Sequence, residues 1–113
     1  MFDHSHRLRR EKDFQRVFTK GRFVWDSLCL IKFKKNDLPI SRFSVVVGKK
    51  VSKSAVVRNR LRRQVREIIR LKLNEIEKGY DIIFLIQPKA LGTTFKKLQE
   101  IILFLLKKGK IKI

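Results

Sequence analysis

The chain has few of the residues from which most enzymes build a catalytic or metal site. Its 113 residues include one cysteine, Cys29, so neither an internal disulfide nor a thiolate metal cluster can form. A single thiol suits a reducing compartment, and we expect a cytoplasmic location. Histidine occurs only at His4 and His6. A His-x-His pair in a polar end segment is a weak sign of a metal site, so we predict none in the protein.

Acidic residues are also scarce. Asp and Glu number 10 against 29 Lys and Arg, which gives a formal net charge of +19. The acids are scattered, so we can assemble neither a pair of catalytic carboxylates nor the carboxylate cluster of a metal-dependent nuclease. A Ser-His-Asp set, a P-loop and a Gly-rich dinucleotide motif are missing as well. These absences argue against a self-sufficient enzyme, and the charge excess favours a phosphate-rich partner.

Long apolar runs are missing too. The longest, 101–106, is far too short to cross a bilayer. Charges in the first ten residues leave no apolar region of a secretory signal, so we expect neither a signal nor a membrane partner. The apolar fraction of 43% is nevertheless enough for a core. We predict one domain over 1–113, with flexible tails at 1–7 and 109–113.

Hydrophobic periodicity and turn residues predict an α+β fold, a single-domain sandwich in which helices pack on one sheet of about four strands. Gly21 is expected just past the end of the first helix, Ser52 or Ser54 at the start of the second, and Thr93 or Thr94 at the start of the third. The predicted order is α-β-β-β-α-β-α, with a helix over 11–20, strands over 22–34 (bent near 26–27) and 41–50, a helix over 55–73, a strand over 80–86 and a helix over 94–107.

The strongest functional signal is a row of arginines on the helix predicted over 55–73. An apolar stripe falls at helical spacing, and on another face arginine recurs every fourth residue, so the guanidiniums line up one turn apart. Like charges at this spacing destabilise an isolated helix by roughly 0.2–0.5 kcal/mol per pair. A solvated basic face is the alternative, but the shortage of acids favours a surface that binds a polyanion. The stripe consists of Val57, Leu61, Val65 and Ile68, and the row of Arg58, Arg62, Arg66 and Arg70, flanked by Arg60 and Arg63.

Two aromatic residues of the first predicted helix, Phe14 and Phe18, lie one turn apart beside the basic residues Arg16 and Lys20. Such a pair usually belongs to the core. Alternatively, the rings form a platform on which unpaired bases stack. From the spacing alone, both interpretations stay open.

The stretch around the arginine row resembles the signature of the bacterial ribonuclease P protein subunit. In that family a Lys-Lys pair is followed by Ala-Val-x-Arg-Asn-Arg-x-Lys/Arg-Arg, which opens a long helix. The resemblance covers about residues 7 to 107. It consists of Lys49-Lys50, the sequence AVVRNRLRR at 55–63, REKDFQRVF at 10–18, Gly21, SVVV at 44–47 and YDII at 80–83.

The resemblance implies a function as part of a ribonucleoprotein. Such a protein joins a catalytic RNA, and the complex removes the 5′ leader of precursor tRNA and leaves a 5′-phosphate on the mature end. The RNA performs the cleavage with magnesium, so we expect no catalytic residue and no tightly bound metal in the protein, and no obligate protein partner. The resemblance also implies a left-handed crossover between the strand that ends at Gly48 and the strand that begins at Tyr80, whereas the general rule is right-handed.

The same resemblance assigns two sets of site residues. The helix opened by Arg58-Asn59-Arg60 is expected to face the catalytic RNA, and the cleft between the first helix and the sheet is expected to hold the single-stranded leader. We predict contacts to the catalytic RNA at Lys49, Lys50, Lys53, Arg58, Asn59, Arg60, Arg62, Arg63, Arg66 and Arg70, and contacts to the leader at Phe14, Phe18, Arg16, Lys32 and Lys89.

Three positions depart from the family pattern. Lys53-Ser54 stands where members often have Gly-Asn, and Ser54 can serve as the helix cap. Ile86-Gln87 replaces a basic residue that commonly precedes the position of Pro88, which puts a cationic leader contact there in doubt. Lys32 lies where an aromatic residue is often found on the cleft side, so leader contacts at that point could be ionic instead.

Two other function classes remain open from the sequence. A ribosomal or other structural RNA-binding protein would share the positive charge and the arginine row, but would not require accessible rings at Phe14 and Phe18. A stand-alone nuclease is disfavoured because it would need the carboxylate cluster that the sequence lacks.

Overall fold

A computed structural model describes residues 4–113 and shows three α-helices and four strands in this part of the chain. The order α-β-β-β-α-β-α confirms the predicted α+β fold. The elements are α1 (Glu11–Lys20), β1 (Arg22–Trp25), β2 (Cys29–Lys35), β3 (Arg42–Val46), α2 (Ala55–Leu71), β4 (Tyr80–Ile86) and α3 (Phe95–Lys108), with 3-10 turns at His4–His6, Leu73–Glu75 and Pro88–Ala90.

The four strands form one mixed sheet in the order β1-β2-β4-β3. β1 pairs with β2 and β2 with β4 in antiparallel fashion, whereas β3 and β4 are parallel neighbours. A parallel pair needs a crossover connection, and here that connection contains α2. The left-handed sense that the resemblance implies for this crossover stays a prediction.

The central strand β4 is covered on both faces, as its near-continuous apolar sequence predicts. On one face, Ile82 and Phe84 join the main core, which α2 and α3 complete. On the other face, Ile83 packs with Leu8 and with Val17 of α1 in a smaller cluster. The sheet therefore separates two layers, with α2 and α3 on one side and α1 alone on the other.

The helix ends confirm one of each pair of predicted caps and correct one predicted boundary. The Ser54 hydroxyl caps α2 by accepting a hydrogen bond from the Val57 N–H at 3.3 Å, and the Thr94 hydroxyl caps α3 by accepting one from the Lys97 N–H at 3.1 Å. α2 ends at Leu71 rather than near residue 73, because the backbone leaves the α-helical region after Leu71 and tightens into the 3-10 turn Leu73–Glu75.

Gly21 follows α1 as predicted, but for a different physical reason. Its φ of −73° is extended and not left-handed, so backbone freedom is not what requires glycine here. A Cβ at this position would lie 2.4 Å from the Val17 carbonyl oxygen and 2.9 Å from that of Phe33. Glycine is needed because α1 and β2 approach each other closely where the chain passes between them.

The chain contacts the core directly after the first predicted tail and within the second. Residues 1–3 of the first tail lie outside the described residues. Leu8, directly after it, is buried and donates its N–H to the Phe43 carbonyl at 2.8 Å. In the segment 109–113, Ile111 is fully buried and its carbonyl accepts the Glu77 N–H at 2.8 Å. Between residues 4 and 113, no helix is both long and apolar enough to span a bilayer.

Candidate nucleic-acid interface

The arginine face of α2 is bound to the loop that follows β3. Arg58 donates a hydrogen bond from Nη1 to the Ser52 carbonyl at 2.9 Å, and Arg62 reaches the Val47 carbonyl at 3.5 Å. This loop carries Lys49, Lys50 and Lys53, all exposed. The fold thus brings the two parts of the predicted contact set, the loop lysines and the helix arginines, onto one continuous surface.

Members of the arginine row differ in their surroundings. Arg62 also contacts the Asn59 side-chain oxygen, so the Asn of the Arg-Asn-Arg motif orients an arginine one turn away. Arg70 forms an ion pair with Glu67, with Nε 2.6 Å from Oε1 and Nη2 2.9 Å from Oε2. The hydrogen bond from Arg70 lowers the pKa of Glu67. Because this pair is already neutralised, Arg70 offers less free charge than the rest of the row.

Positive charge is concentrated where α2 meets the segment before α1. Arg66 is half-buried, and its pKa is lowered first by burial and then by the charges of Arg7 and Arg62. The Nε of Arg7 is buried and has no hydrogen-bond partner among the described residues. Arg7 and Arg9 line a hollow of about 220 Å³ with Ser44 and Arg66. Like charges held this close favour an anion between them.

Sequence reasoning missed Arg7 and Arg9 as candidate site residues. Their charge is visible in the sequence, but Arg7 falls in the predicted tail 1–7 and Arg9 lies just after it, outside the predicted contact set. The bridge between Arg7 and Phe43 and the hydrogen bond from the Leu8 N–H to the Phe43 carbonyl fix this segment on β3, where Arg7 lines a hollow with Arg66. Arg60 and Arg63, in contrast, are exposed on α2. They line a shallow depression of about 500 Å³ with Gln64, Arg66, Glu67 and Phe95.

The rings of Phe14 and Phe18 stack on each other beside the sheet. Their centroids are 5.8 Å apart and their planes differ by 16°. Phe14 is half-buried and packs on the small cluster under α1, whereas Phe18 is 37% exposed. One ring therefore serves mainly as core and the other presents surface.

Lys32 lies directly against Phe18. Its Nζ is 3.8 Å from the ring centroid and donates a hydrogen bond to the Phe18 carbonyl at 2.9 Å. This is a cation–π contact, and it places the ammonium at the mouth of the cleft between α1 and the sheet. The lysine that departs from the family pattern thus lies next to the exposed ring predicted to contact the leader.

The remaining predicted leader residues lie at opposite ends of the sheet. Arg16 donates a hydrogen bond to the Lys35 carbonyl at 2.9 Å, and Lys35 lies opposite Tyr80, the first residue of β4. Lys89 is exposed in the turn that follows the other end of β4. A strand of seven residues spans roughly 23 Å, so the backbone positions near which these two side chains lie are separated by about the length of β4. The structure does not gather them into one cluster.

Two exposed aromatic residues on the same face of the sheet were not predicted as site residues. Phe23 lies opposite Lys32 and Trp25 opposite Leu30 in the antiparallel pair of β1 and β2. Side chains of directly opposite residues point to the same face, so both rings lie on the α1 side. They are 60% and 64% exposed. The sequence Phe-Val-Trp indicates at most that the two rings share one face of a strand and that Val24 points to the other.

A cluster of metal-ligating side chains is not found in the described part of the chain. No group of three or more His, Cys, Asp or Glu side chains within residues 4–113 is placed to hold a metal ion. Burial, with a smaller effect of Asp26, raises the pKa of the Cys29 thiol to about 12, so it is a core residue and not a nucleophile. Where magnesium binds in the complex stays a prediction.

Comparison with known proteins decides between the function classes. The family model described as Ribonuclease P matches residues 2–110. The chain belongs to the ribonuclease P protein family. The ribonuclease P protein component of Alkaliphilus metalliredigens is 34% identical over 107 residues, covering 95% of this chain and 96% of the relative.

Solved ribonuclease P proteins share the fold. The structure from Staphylococcus aureus superposes with a TM-score of 0.85 at 28% identity, covering 94% of this chain and 96% of that one. The Thermotoga maritima protein, solved in complex with 1-(4-fluorophenyl)-2-thiourea, superposes with a TM-score of 0.83 at 36% identity. The match covers 89% of this chain and 97% of that one. The family prediction is confirmed. Membership implies partnership with the ribonuclease P RNA and a place in tRNA processing.

Proposed function

We propose that this ribonuclease P protein binds the catalytic RNA through α2 and the loop after β3, and holds the single-stranded 5′ leader of precursor tRNA between α1 and the sheet. One observation carries the proposal. A basic helix face and an aromatic, cation-flanked cleft lie on one small domain, and residues 47–54 connect the sheet to the helix. The chain can therefore contact two nucleic-acid segments at once.

The proposed division of labour follows from the chemistry of the side chains. Guanidiniums and ammoniums neutralise phosphates and release counterions, which gives affinity without reading sequence. Exposed rings stack on bases of any identity, which suits an unpaired leader. Magnesium, held by the RNA, would supply the activation of water and the stabilisation of charge that hydrolysis of a phosphodiester requires. The protein's part is to orient the substrate.

The leader site distinguishes precursor from product. Mature tRNA lacks the leader, so it forfeits every contact in the cleft, whereas contacts to the rest of the complex are unchanged. The complex would then prefer substrate over product and release the mature tRNA. A cytoplasmic location belongs to this proposal, because that is where bacterial precursor tRNA is made and processed.

Reconstitution tests the proposal. Purified protein, the ribonuclease P RNA from the same source, and both together are incubated with a 5′-labelled precursor tRNA and magnesium. We expect the reconstituted complex to cleave the precursor and to leave a 5′-phosphate on the tRNA. Protein alone should not cleave it at any magnesium concentration. At low magnesium, the RNA alone should be slower than the complex.

Two results would overturn it. Magnesium-dependent cleavage by RNA-free protein, persisting through further purification, would place the catalyst in the protein. Failure of the protein to alter cleavage or leader affinity, while it captures ribosomal RNA from cells, would favour a structural RNA-binding role instead.

A further inference from the structure

The aromatic surface beside the cleft continues beyond α1 to the edge of the sheet. Phe18, Phe23 and Trp25 are three of the four exposed aromatic residues in the described chain, and Phe104 on α3 is the fourth. The three rings lie on one face of the sheet. Lys32 lies between Phe18 and Phe23, and Trp25 follows Phe23 two residues further along β1. Exposed rings grouped in this way indicate a binding surface.

We infer that Phe23 and Trp25 form a second stacking platform, which takes bases of the leader after they leave the cleft at Phe18. The inference rests on the proposed function and adds two residues to the leader path. Phe23 and Trp25 are about 7 Å apart along the strand, so each ring can accept its own base. β1 is the edge strand of the sheet, which leaves room for RNA beyond it.

The state of Phe18 supports a platform outside the cleft. One side of its ring is covered by the Lys32 ammonium, and it also stacks on Phe14. The rings on β1 have much more free surface than this pair. Val24, between them, faces the main core, so β1 is anchored from the opposite side of the sheet. This anchoring limits the movement of β1, which reduces the entropy lost when a base stacks.

Charge around the rings identifies RNA as the occupant. Lys32 and Lys34 alternate with buried residues on β2 and share the face of the rings. The nearest acid along the chain, Asp26, is engaged by the Leu28 N–H at 3.3 Å and the Ser27 hydroxyl at 3.2 Å. A second copy of this chain is a poor occupant, because a net charge of +19 repels itself. Exposed rings beside the positive charges of Lys32 and Lys34 suit a polyanion with exposed bases.

Trp25 makes the test direct, since it is the only tryptophan in the chain. Precursor tRNAs with leaders lengthened one nucleotide at a time, each carrying a non-cleavable linkage, are bound to the reconstituted holoenzyme. We expect Trp25 emission to change only when the leader exceeds a threshold length. Mature tRNA should leave the emission unchanged.

Affinity measured with the same series identifies the residues. Trp25→Ala and Phe23→Ala should each weaken binding of long leaders by roughly 5- to 150-fold, the range expected for one lost base stack, and leave short leaders unaffected. Trp25→Phe should retain most of the affinity. Phe104→Ala is the matched control, because Phe104 is 57% exposed but lies on α3, across the sheet. It should behave as wild type.

The outcomes separate this inference from the proposed function. If wild type does not distinguish leader-bearing from mature tRNA, the proposed function fails. If wild type distinguishes them but neither β1 variant changes the length dependence and the emission is constant, only the platform is wrong. Equal losses for long leaders and mature tRNA would also overturn it, because the rings would then contact another part of the complex.

Discussion

Arg42 and Asp81 form a two-point ion pair that joins the starts of the parallel strands β3 and β4. Nε of Arg42 lies 2.8 Å from Oδ1 of the fully buried Asp81, and Nη2 lies 2.7 Å from Oδ2. Arg42 also reaches Asp13 of α1 at 3.3 Å. One guanidinium thus ties α1 to the sheet at the end of the cleft. These hydrogen bonds, first that to Asp81, raise the pKa of Arg42.

Removal of the buried carboxylate should destabilise the fold. Asp81→Ala leaves Arg42 without its main partner and Asn36 without the acceptor of its 2.9 Å hydrogen bond. Loss of one partner of a buried pair costs about 3–5 kcal/mol. Asp13→Ala is the matched control, because Asp13 is the partly exposed carboxylate partner of Arg42. It should lower the free energy of unfolding by less than about 1 kcal/mol. Urea denaturation of both variants measures this, and equal losses would show that Asp81 is not the anchor.

The arginine face should set the salt dependence of assembly. In Arg58→Ala/Arg60→Ala/Arg62→Ala, each lost phosphate contact lowers the slope of log affinity against log salt by roughly 0.7–0.9. Circular dichroism should show α2 retained, because alanine is the best helix former. Lys107→Ala/Lys108→Ala/Lys110→Ala removes the same charge from exposed positions at the far end of α3. A slope reduced equally in both triple variants would mean that net charge alone governs binding.

Phe18 should discriminate precursor from mature tRNA. Phe18→Ala is expected to weaken holoenzyme binding of leader-bearing tRNA by about 1–3 kcal/mol, with little change in melting temperature because the ring is partly exposed. Val17→Ala, at a fully buried neighbour, should leave the affinity for leader-bearing tRNA unchanged and lower the free energy of unfolding by roughly 2 kcal/mol. Phe14→Ala should show both effects, since that ring is half-buried. A collapse of stability in Phe18→Ala with an unchanged affinity ratio would assign Phe18 to the core.

Stability should fall in alkali partly through Cys29. Burial raises the pKa of its thiol from 9.0 to about 12, so the folded state binds this proton more tightly than the unfolded chain. That contribution is complete below pH 9 and is lost as the pH rises from 9 towards 12. Unfolding free energies of wild type and Cys29→Ala, compared from pH 8 to 10.5, isolate it from lysine and tyrosine titration. Parallel pH profiles would contradict the assignment.

Two glycines should respond differently to alanine. Gly21→Ala places a methyl group against two backbone oxygens that cannot move independently, and should cost about 1–3 kcal/mol. Gly48→Ala meets no atom within 4 Å of the new Cβ, so stability should be unchanged or rise by about 0.4–1 kcal/mol. Thermal melting compares the two. If Gly48→Ala impairs assembly with the RNA without loss of stability, glycine is required at this position because the RNA lies close to the backbone.

The sequence by itself determined the elements and the chemistry of the main surface. Periodicity located α1, α2 and β4 because their apolar patterns are local and strongly spaced, and Ser54 and Thr94 supplied helix caps that act within one turn. The arginine row could be read for the same reason, since residues four apart on a helix share a face wherever the helix packs. The motif around Arg58-Asn59-Arg60 then identified the family, which the comparisons confirm.

Only the tertiary structure decided which distant residues meet. Arg42 and Asp81 are 39 residues apart, and nothing local to either indicates the pairing of β3 with β4. The same holds for Arg7 beside Arg66, for Lys32 over the ring of Phe18, and for Phe23 and Trp25 on the face of the sheet that α1 leaves open. Strand order and register fix these neighbours, and they depend on how the whole chain buries its apolar surface. Local spacing carries no information on that choice.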